Sequence, residues 1–419
     1  MSPDPVEFPL HEFPSMSSHL SPETDTSANL SRSHLLLLAL ASALVTANAY
    51  YIHPIIALVA ADYGVSAAEI GYVPALNQAA LALGIFLLLP LGDRFSNRTL
   101  SVVFACGQTL GLAVMAFAPA FWMFTAGSTL LGFFTITPYL LPAYVSKRVE
   151  PGQLGYATAM LTTGVIAGIL VARAGSGIVA EYLGWRVVYL IATSLMLCIT
   201  LALPFIMERP RGGDKRATHP YPALLVSTLA LLKQYPSVIL SGSVQGLSFG
   251  VFLAVWLGLG LHLTSPEMGY GVDVVGYLAA FSLLNLVTTA RLGAWADRMG
   301  PRRARLYLSM VQVTGVALLY VFGHSLFLLM IPIVMMNMVG PVIDVTGRMI
   351  FLKRTPEIRT RMMTLYIVMM FIGGAFSSWA GTTAYEHAGW SGSVGLAFFF
   401  AVLVFCLSAF DVRRPEADG

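Results

Sequence analysis

Residues 34–59 read HLLLLALASALVTANAYYIHPIIALV and hold no Asp, Glu, Lys or Arg. As a helix rising ~1.5 Å per residue, such a run is about 39 Å long, more than the ~30 Å hydrocarbon core of a bilayer. A helix on the surface of a soluble domain needs a polar face along its length. This one offers only scattered Ser, Thr, Asn, Tyr and His side chains, so lipid is the solvent that fits it.

Further apolar runs follow with Gly, Pro and charge as punctuation. Spans are expected near 69–90, 100–118, 121–146, 153–180 and 187–207, then near 237–262, 273–293, 304–323, 326–350, 361–384 and 393–411. Hydrophobic residues make up 57% of the 419 and charged residues 11%, against ~45–50% and ~25% in soluble proteins. So few charges cannot cover a water-facing surface of this size, and twelve spans leave too little chain for a sizeable soluble domain. The fold class expected is an all-α membrane protein of twelve transmembrane helices.

The placement of charge sets the orientation. With the N-terminus inside, all of the 24 Lys and Arg residues except Arg186, Arg173 and Arg348 fall on the cytoplasmic side; Arg186 is outside and the other two lie within spans. Cytoplasmic loops hold such an excess, so both termini are expected inside. Residues 1–33 carry Asp4, Glu7, Glu12, Glu23 and Asp25 with Arg32 as their only basic residue. They read as a cytosolic tail and not as a signal peptide. The net charge of +3 is spread in small groups and forms no nucleic-acid patch. Cys106, Cys198 and Cys406 lie apart in apolar runs, which excludes a disulfide framework or zinc site and leaves them as small packing residues.

The chain repeats. Gly71-Tyr72 recurs as Gly276-Tyr277, Asp93-Arg94 as Asp297-Arg298, Lys147-Arg148 as Lys353-Arg354 and Gly184-Trp185 as Gly389-Trp390, at nearly one spacing. The organisation expected is a tail (1–33), a six-helix bundle (34–207), a cytosolic linker with an interfacial helix (208–236), a second bundle (237–411) and a short tail (412–419). Two parallel six-helix repeats joined by a linker are the architecture of alternating-access carriers, which bind solute near the bilayer midplane.

The turn Leu91-Gly92-Asp93-Arg94-Phe95-Ser96-Asn97-Arg98 and the turn Gly293-Ala294-Trp295-Ala296-Asp297-Arg298-Met299-Gly300-Pro301-Arg302-Arg303 both resemble motif A of the major facilitator superfamily, Gly-x-x-x-Asp-Arg-x-Gly-x-Arg. The second copy fits better, since Leu89 and Ser96 stand where the first should have Gly. The resemblance implies a major facilitator fold of two pseudo-symmetric bundles. It also implies that the motif Asp meets a helix N-terminus and arginines across the domain boundary when the cytoplasmic side is shut. A closer resemblance is to the arabinose-efflux-permease-like bacterial branch. It rests on Asn48-Ala49-Tyr50-Tyr51-Ile52-His53-Pro54, with His53 in place of a Gln, and on Gly164, Gly168, Ile169, Leu170, Ala172, Arg173 and Gly177 followed by Glu181, Gly184, Trp185 and Arg186. Drug antiporters of the superfamily carry an Arg where Ser128 precedes Gly132, and a Pro where Ile169 follows Gly168. The antiport signatures are thus incomplete.

An ionisable side chain at bilayer depth costs at least ~2.5–3.5 kcal/mol, so each needs a partner or a wet cavity. Arg173 reads either as a substrate or anion partner or as a structural clamp. Asp344 and Arg348, one turn apart on a stripe with Asn337 and Pro341, read either as a gating ion pair or as a site where Asp344 takes a proton. His53 is the other candidate for proton coupling, with lining of the cavity as its plainer role. Asn48, Tyr50, Tyr51, Asn77, Gln78 and Gln245 supply neutral donors for a polar ligand or serve as glue between helices. Asp62, Glu69, Glu267 and Asp273 fall at outer span ends, in solvent.

Gly164, Gly168, Ala172 and Ser176, and likewise Gly242, Gly246 and Gly250, form small-residue stripes that are expected as the smooth seams of rocking halves. Pro138, Pro142, Pro332 and Pro341 are expected to kink their spans. No phosphate loop, His-Glu-x-x-His helix or nucleophile with partners is present. No cofactor, no metal and no enzymatic activity are therefore expected. The function expected is export of a small organic solute (a sugar, drug-like compound or metabolite) across the inner membrane by proton antiport. The protein is expected to act as a monomer whose partners are substrate, proton gradient and bilayer. Uptake by proton symport is the alternative, and a non-transporting sensor or scaffold a distant one.

Overall fold

The computed structural model describes residues 30–208, 220–281, 284–352 and 356–414. Its helices in the first half are α1 (Arg32–Ala47), α2 (Ile52–Tyr63), α3 (Ala67–Ile70), α4 (Tyr72–Leu88), α5 (Asn97–Phe117), α6 (Phe121–Phe134), α7 (Thr137–Ser146), α8 (Leu154–Leu183) and α9 (Trp185–Ile206). The second half has α10 (Tyr221–Gln234), α11 (Pro236–Leu263), α12 (Val272–Ala280), α13 (Leu284–Met299), α14 (Pro301–Phe322), α15 (Leu326–Leu352) and α16 (Pro356–Arg413). Among the described residues the regular structure is all α.

Among the described residues, 10 helical stretches are long and apolar enough to cross a membrane. Side chains such as Phe205, 87% exposed, and Phe327, 82% exposed, face outward from them. Large apolar side chains so exposed belong against lipid. The three cysteines also lie exposed on helices; they face outward and do not pack in the interior as expected from their apolar surroundings.

Local chemistry sets the breaks. The Ser66 hydroxyl accepts from Glu69 N–H (3.2 Å) while the Glu69 carboxylate accepts from Ser66 N–H (2.8 Å), a capping box that starts α3. Pro54 has no N–H for the Tyr50 carbonyl, which instead accepts from His53 N–H at 3.3 Å. The ladder tightens there, and the first apolar run becomes two helices with Asn48–Tyr51 at the joint. Pro138 likewise stands just after the gap between α6 and α7 and does not kink a continuous helix, whereas Pro142, Pro332 and Pro341 lie inside helices.

α16 is 58 residues long, about 87 Å at ~1.5 Å per residue, too long for one crossing. It turns at Ala388 (φ −139°) and Gly389 (φ 58°). Gly184, between α8 and α9, takes φ 88°. These are the repeat landmarks Gly184-Trp185 and Gly389-Trp390: the same glycine supplies a positive φ at the same place in each half.

The two small-residue stripes pack within the halves and not between them. A Cβ on Gly168 would overlap the Ala43 backbone of α1, and one on Gly246 would lie 2.8 Å from the Met369 carbonyl of α16. The seam between the halves is carried by other glycines. A Cβ on Gly177 would lie 2.6 Å from the Val272 carbonyl, one on Gly276 would lie 2.8 Å from the Ala174 carbonyl, and one on Gly71 would overlap the Thr382 side chain. Gly71 and Gly276 were visible as repeat landmarks; their role at the seam was not.

Candidate functional site

Arg173 lies on α8 with 1% of its surface exposed. Its guanidinium sits 4.3 Å from the ring centre of Trp256, 4.4 Å from that of Phe252 and 5.6 Å from that of Tyr50. Tyr50 belongs to the α1–α2 joint, while Phe252 and Trp256, one turn apart, belong to α11. The cage therefore takes walls from both halves. Its Nε and Nη2 groups find no hydrogen-bond partner among the described residues. His53 is also fully buried, with both ring nitrogens unpartnered. Its ring stands 5.2 Å from that of Tyr50, and Arg173 lies within electrostatic range. Gly260 lets α11 approach here, since a Cβ on it would be 2.5 Å from the His53 carbonyl.

The second charged centre is on α15. Arg348 donates to both Asp344 oxygens, Nε to Oδ1 at 3.0 Å and Nη2 to Oδ2 at 2.7 Å. The Tyr366 hydroxyl of α16 donates to the same Oδ1 at 3.0 Å. Tyr139 of α7 lies within electrostatic range of this pair and of Tyr50, so Tyr50 and Tyr139 stand between the two centres. The side chains of Arg348 and Asp344 face inward in this way and are still 39% and 21% exposed. Arg173, by contrast, is 1% exposed.

The other expected residues divide. Asn77 donates to the Ser128 carbonyl at 2.7 Å, tying α4 to α6. Tyr51 turns to Tyr189 of α9 at 6.5 Å, inside the first half. Asn48 and Gln245 donate weakly to the sulfurs of Met196 (3.5 Å) and Met370 (3.4 Å). Gln78 is buried with Oε1 unpartnered. Asn337 lines a small cavity with Ser248, Gln312, Gly340, Phe252 and Trp256. Sequence reasoning missed Phe252, Trp256, Tyr139, Tyr366 and Gln312. For the first two there was a signal: an aromatic pair four residues apart on a span that also carries glycines.

At the opposite end from the arginines the halves are latched twice. The Val272 N–H at the start of α12 donates to Glu181 at the end of α8 (3.0 Å), and the Ala68 N–H in α3 donates to Glu386 (2.6 Å). Glu181 and Glu386 are one repeat apart, so each half offers a carboxylate to a helix start of the other. The Ala68 N–H, helped by Ser66, holds the Glu386 carboxyl below its usual range. Asp62 is paired with Arg186 (2.6 Å) and Glu69 is a cap, so neither is simply solvated.

At the arginine-rich end, Arg94 stacks over the Tyr221 ring of α10 at 5.7 Å, and the Tyr221 hydroxyl donates to the Leu87 carbonyl. Gly92 adjoins Leu140 and Asn97, and Arg98 is partly buried. The Asp93 side chain and Lys353-Arg354 lie outside the described residues. In the second copy of the turn, Asp297 and Arg298 are exposed, Gly293 is open and Gly300 takes φ 92°. Arg302 approaches Asp411 at 3.7 Å, and Asp411 also accepts from buried Arg305. Asp297 has no hydrogen-bond or ion-pair partner across the halves among the described residues. Among the described residues no group of His, Cys, Asp and Glu could hold a metal.

A helical membrane bundle whose two halves meet around buried polar and charged side chains is the form of a carrier. The sequence pattern of the Major Facilitator Superfamily matches residues 38–309 and 238–419, and the chain belongs to that family. It is a multi-pass membrane protein for secondary transport of a small solute, and not an enzyme. It is similar to the Uncharacterized transporter YgaY of Escherichia coli O157:H7, 27% identical over 372 residues, 88% of this chain and 93% of that protein. It is also similar to the Probable transporter SCO4007 of Streptomyces coelicolor, 26% identical over 385 residues, 91% and 88% of the two chains. Multidrug resistance protein MdtG of Salmonella arizonae is 24% identical over 229 residues, 53% of this chain and 55% of that one. Among solved structures, a mutant of the nucleoside transporter NupG superposes with a TM-score of 0.72 at 14% identity, covering 90% of this chain and 99% of that one. This likeness concerns the fold.

Proposed function

We propose that 34–207 and 237–411 are two six-helix bundles that make twelve crossings and rock about the chamber between them. The tails 1–33 and 412–419 and the linker 208–236 lie on the cytoplasmic face of a bacterial inner membrane, with α10 resting on the bilayer surface. The observation that carries this reading is the pair of latches at one end, where Glu181 accepts from the Val272 N–H and Glu386 from the Ala68 N–H, each across the two halves. Halves tied together at one end around a buried polar interior are one half of an alternating-access cycle. Each chain encloses its own chamber, so a monomer suffices. The segments 48–54 and 164–186 support kinship with the arabinose-efflux-permease-like branch, without naming the solute.

The solute is a small organic molecule and the energy source a proton gradient. Asp344, which accepts from Arg348 and from the Tyr366 hydroxyl, is the carboxylate assigned to proton coupling; His53 is the second candidate. Uptake with protons is the direction the site supports best. At the place of the antiport arginine stands Ser128, engaged with Asn77, and Ile169 replaces the antiport proline. Export by exchange is the second reading, supported by the half-length similarity to MdtG.

Flux in proteoliposomes under an imposed pH gradient tests both. Solute that accumulates on the alkaline side marks symport, and solute expelled from it marks exchange. Asp344→Asn should make flux indifferent to the gradient. An unchanged gradient dependence removes Asp344 as the coupling site.

A further inference from the structure

The mechanism just proposed leaves one buried charge unexplained. Among the described residues, Asp344 is neutralised by Arg348, and Asp411 by Arg305 and Arg302. No described carboxylate comes within ion-pair distance of Arg173, and Nε and Nη2 are unsatisfied at 1% exposure. Removing an ion from water costs several kcal/mol. The aromatic rings over the cation offset part of this cost, but rings accept no in-plane N–H bond, so the fork of donors remains unfilled. His53, fully buried with both ring nitrogens unpartnered, packs 5.2 Å from the same Tyr50 ring and lies within electrostatic range of Arg173. A guanidinium fork beside an imidazole is the donor set for a planar two-oxygen anion.

The same two rings that cover Arg173, Phe252 and Trp256, also wall the cavity lined by Ser248, Gln312 and Asn337. Gln312 Nε2 donates to the Ser248 hydroxyl at 3.0 Å while its Oε1 is unpartnered. This side offers neutral hydrogen bonding and apolar surface, with no second charge among its lining residues.

Resting on the carrier reading, we propose that the solute is a small organic monocarboxylate. Its carboxylate is held by Arg173 with His53, its body lies against Phe252 and Trp256, and any further polar groups are neutral. The carboxylate supplies the charge that Arg173 lacks, which ties solute occupancy to the residue that joins the walls of both halves.

The test uses the full chain in nanodiscs with three carboxylates and their amides as probes: benzoate and benzamide, lactate and lactamide, gluconate and gluconamide. Binding is read by thermal shift. At least one carboxylate should bind about tenfold more tightly than its amide, as expected for a charge-assisted bond replaced by a neutral one. The preference should vanish in Arg173→Gln and persist in part in Arg173→Lys. If no carboxylate beats its amide in the unmodified chain, or if Arg173→Gln keeps the preference, the monocarboxylate assignment is overturned. Labelling a cysteine at Leu257 from each side of the membrane separates this from the carrier reading. Access that alternates upholds the carrier even when every probe fails, and access from one side only overturns the carrier reading together with the solute proposal built on it.

Discussion

Replacing Gly177 by Ala puts a methyl group where a Cβ lies 2.6 Å from the Val272 carbonyl and 3.1 Å from Gly276 Cα. Ordinary contact begins near ~3.4 Å, so α8 and α12 must part by several tenths of an ångström, and overpacking of this kind costs about 1–3 kcal/mol. The clash exists only while the two halves are closed at this end. The gain of about 1 kcal/mol in helix propensity from Gly to Ala is the same in both states and cancels. The ratio of open to closed forms at this end should therefore rise about 5- to 150-fold. Gly175→Ala is the control on the same helix, since nothing lies within 4 Å of its Cβ.

The assay replaces Cys106, Cys198 and Cys406 and introduces Leu257→Cys, a position with 0% exposure in this state. The rate of reaction with an impermeant maleimide added on the side opposite the arginines reports opening. Faster labelling in Gly177→Ala and an unchanged rate in Gly175→Ala are expected. Equal rates in the two variants would refute the assignment of Gly177 to the moving seam.

Glu181→Gln combined with Glu386→Gln should open the same end by weakening both latches. The Glu386 latch needs the ionised carboxyl, held below its usual range by Ala68 N–H. Its contribution is present above the ordinary carboxylate value and lost as pH falls through the lowered one; because acid slows every thiol by depleting thiolate, Leu257→Cys labelling is read as a ratio to a fully accessible reference cysteine, which should rise in acid, and a flat ratio would count against the latch. Asp411→Ala strips the charge partner from Arg305, which is 0% exposed, and should destabilise the fold by about 3–5 kcal/mol in thermal unfolding. Asp62→Ala breaks the Arg186 pair, 42% and 41% exposed, and should cost under about 1 kcal/mol; similar losses in the two would contradict the burial argument. Reporter fusions near 215 and near 415 should both be active in the cytoplasm, and opposite faces would overturn the topology.

Much of the fold was legible because a bilayer imposes one strong rule: long apolar runs become helices that satisfy their own backbone. Gly184-Trp185 and Gly389-Trp390 could be matched by spacing alone, and both glycines take positive φ. The ion pair of Asp344 and Arg348 followed from a separation of four residues on a helix. The site was less legible. Asn77 and Tyr51 have the composition of ligand-binding residues, yet one ties two helices of its own half and the other packs on Tyr189. Which way a helix turns its polar side chains depends on neighbours far along the chain, and a single sequence does not show them.

By itself, the amino-acid order determined solvent, helix positions and internal repetition, since these depend on hydropathy and on residues close in sequence. The tertiary structure alone decided that Arg173 is caged by Tyr50, Phe252 and Trp256, that Glu181 and Glu386 cross between halves, and that Gly71, Gly177 and Gly276 form the seam. Each joins elements distant along the chain, and their meeting is set by how whole bundles pack against one another.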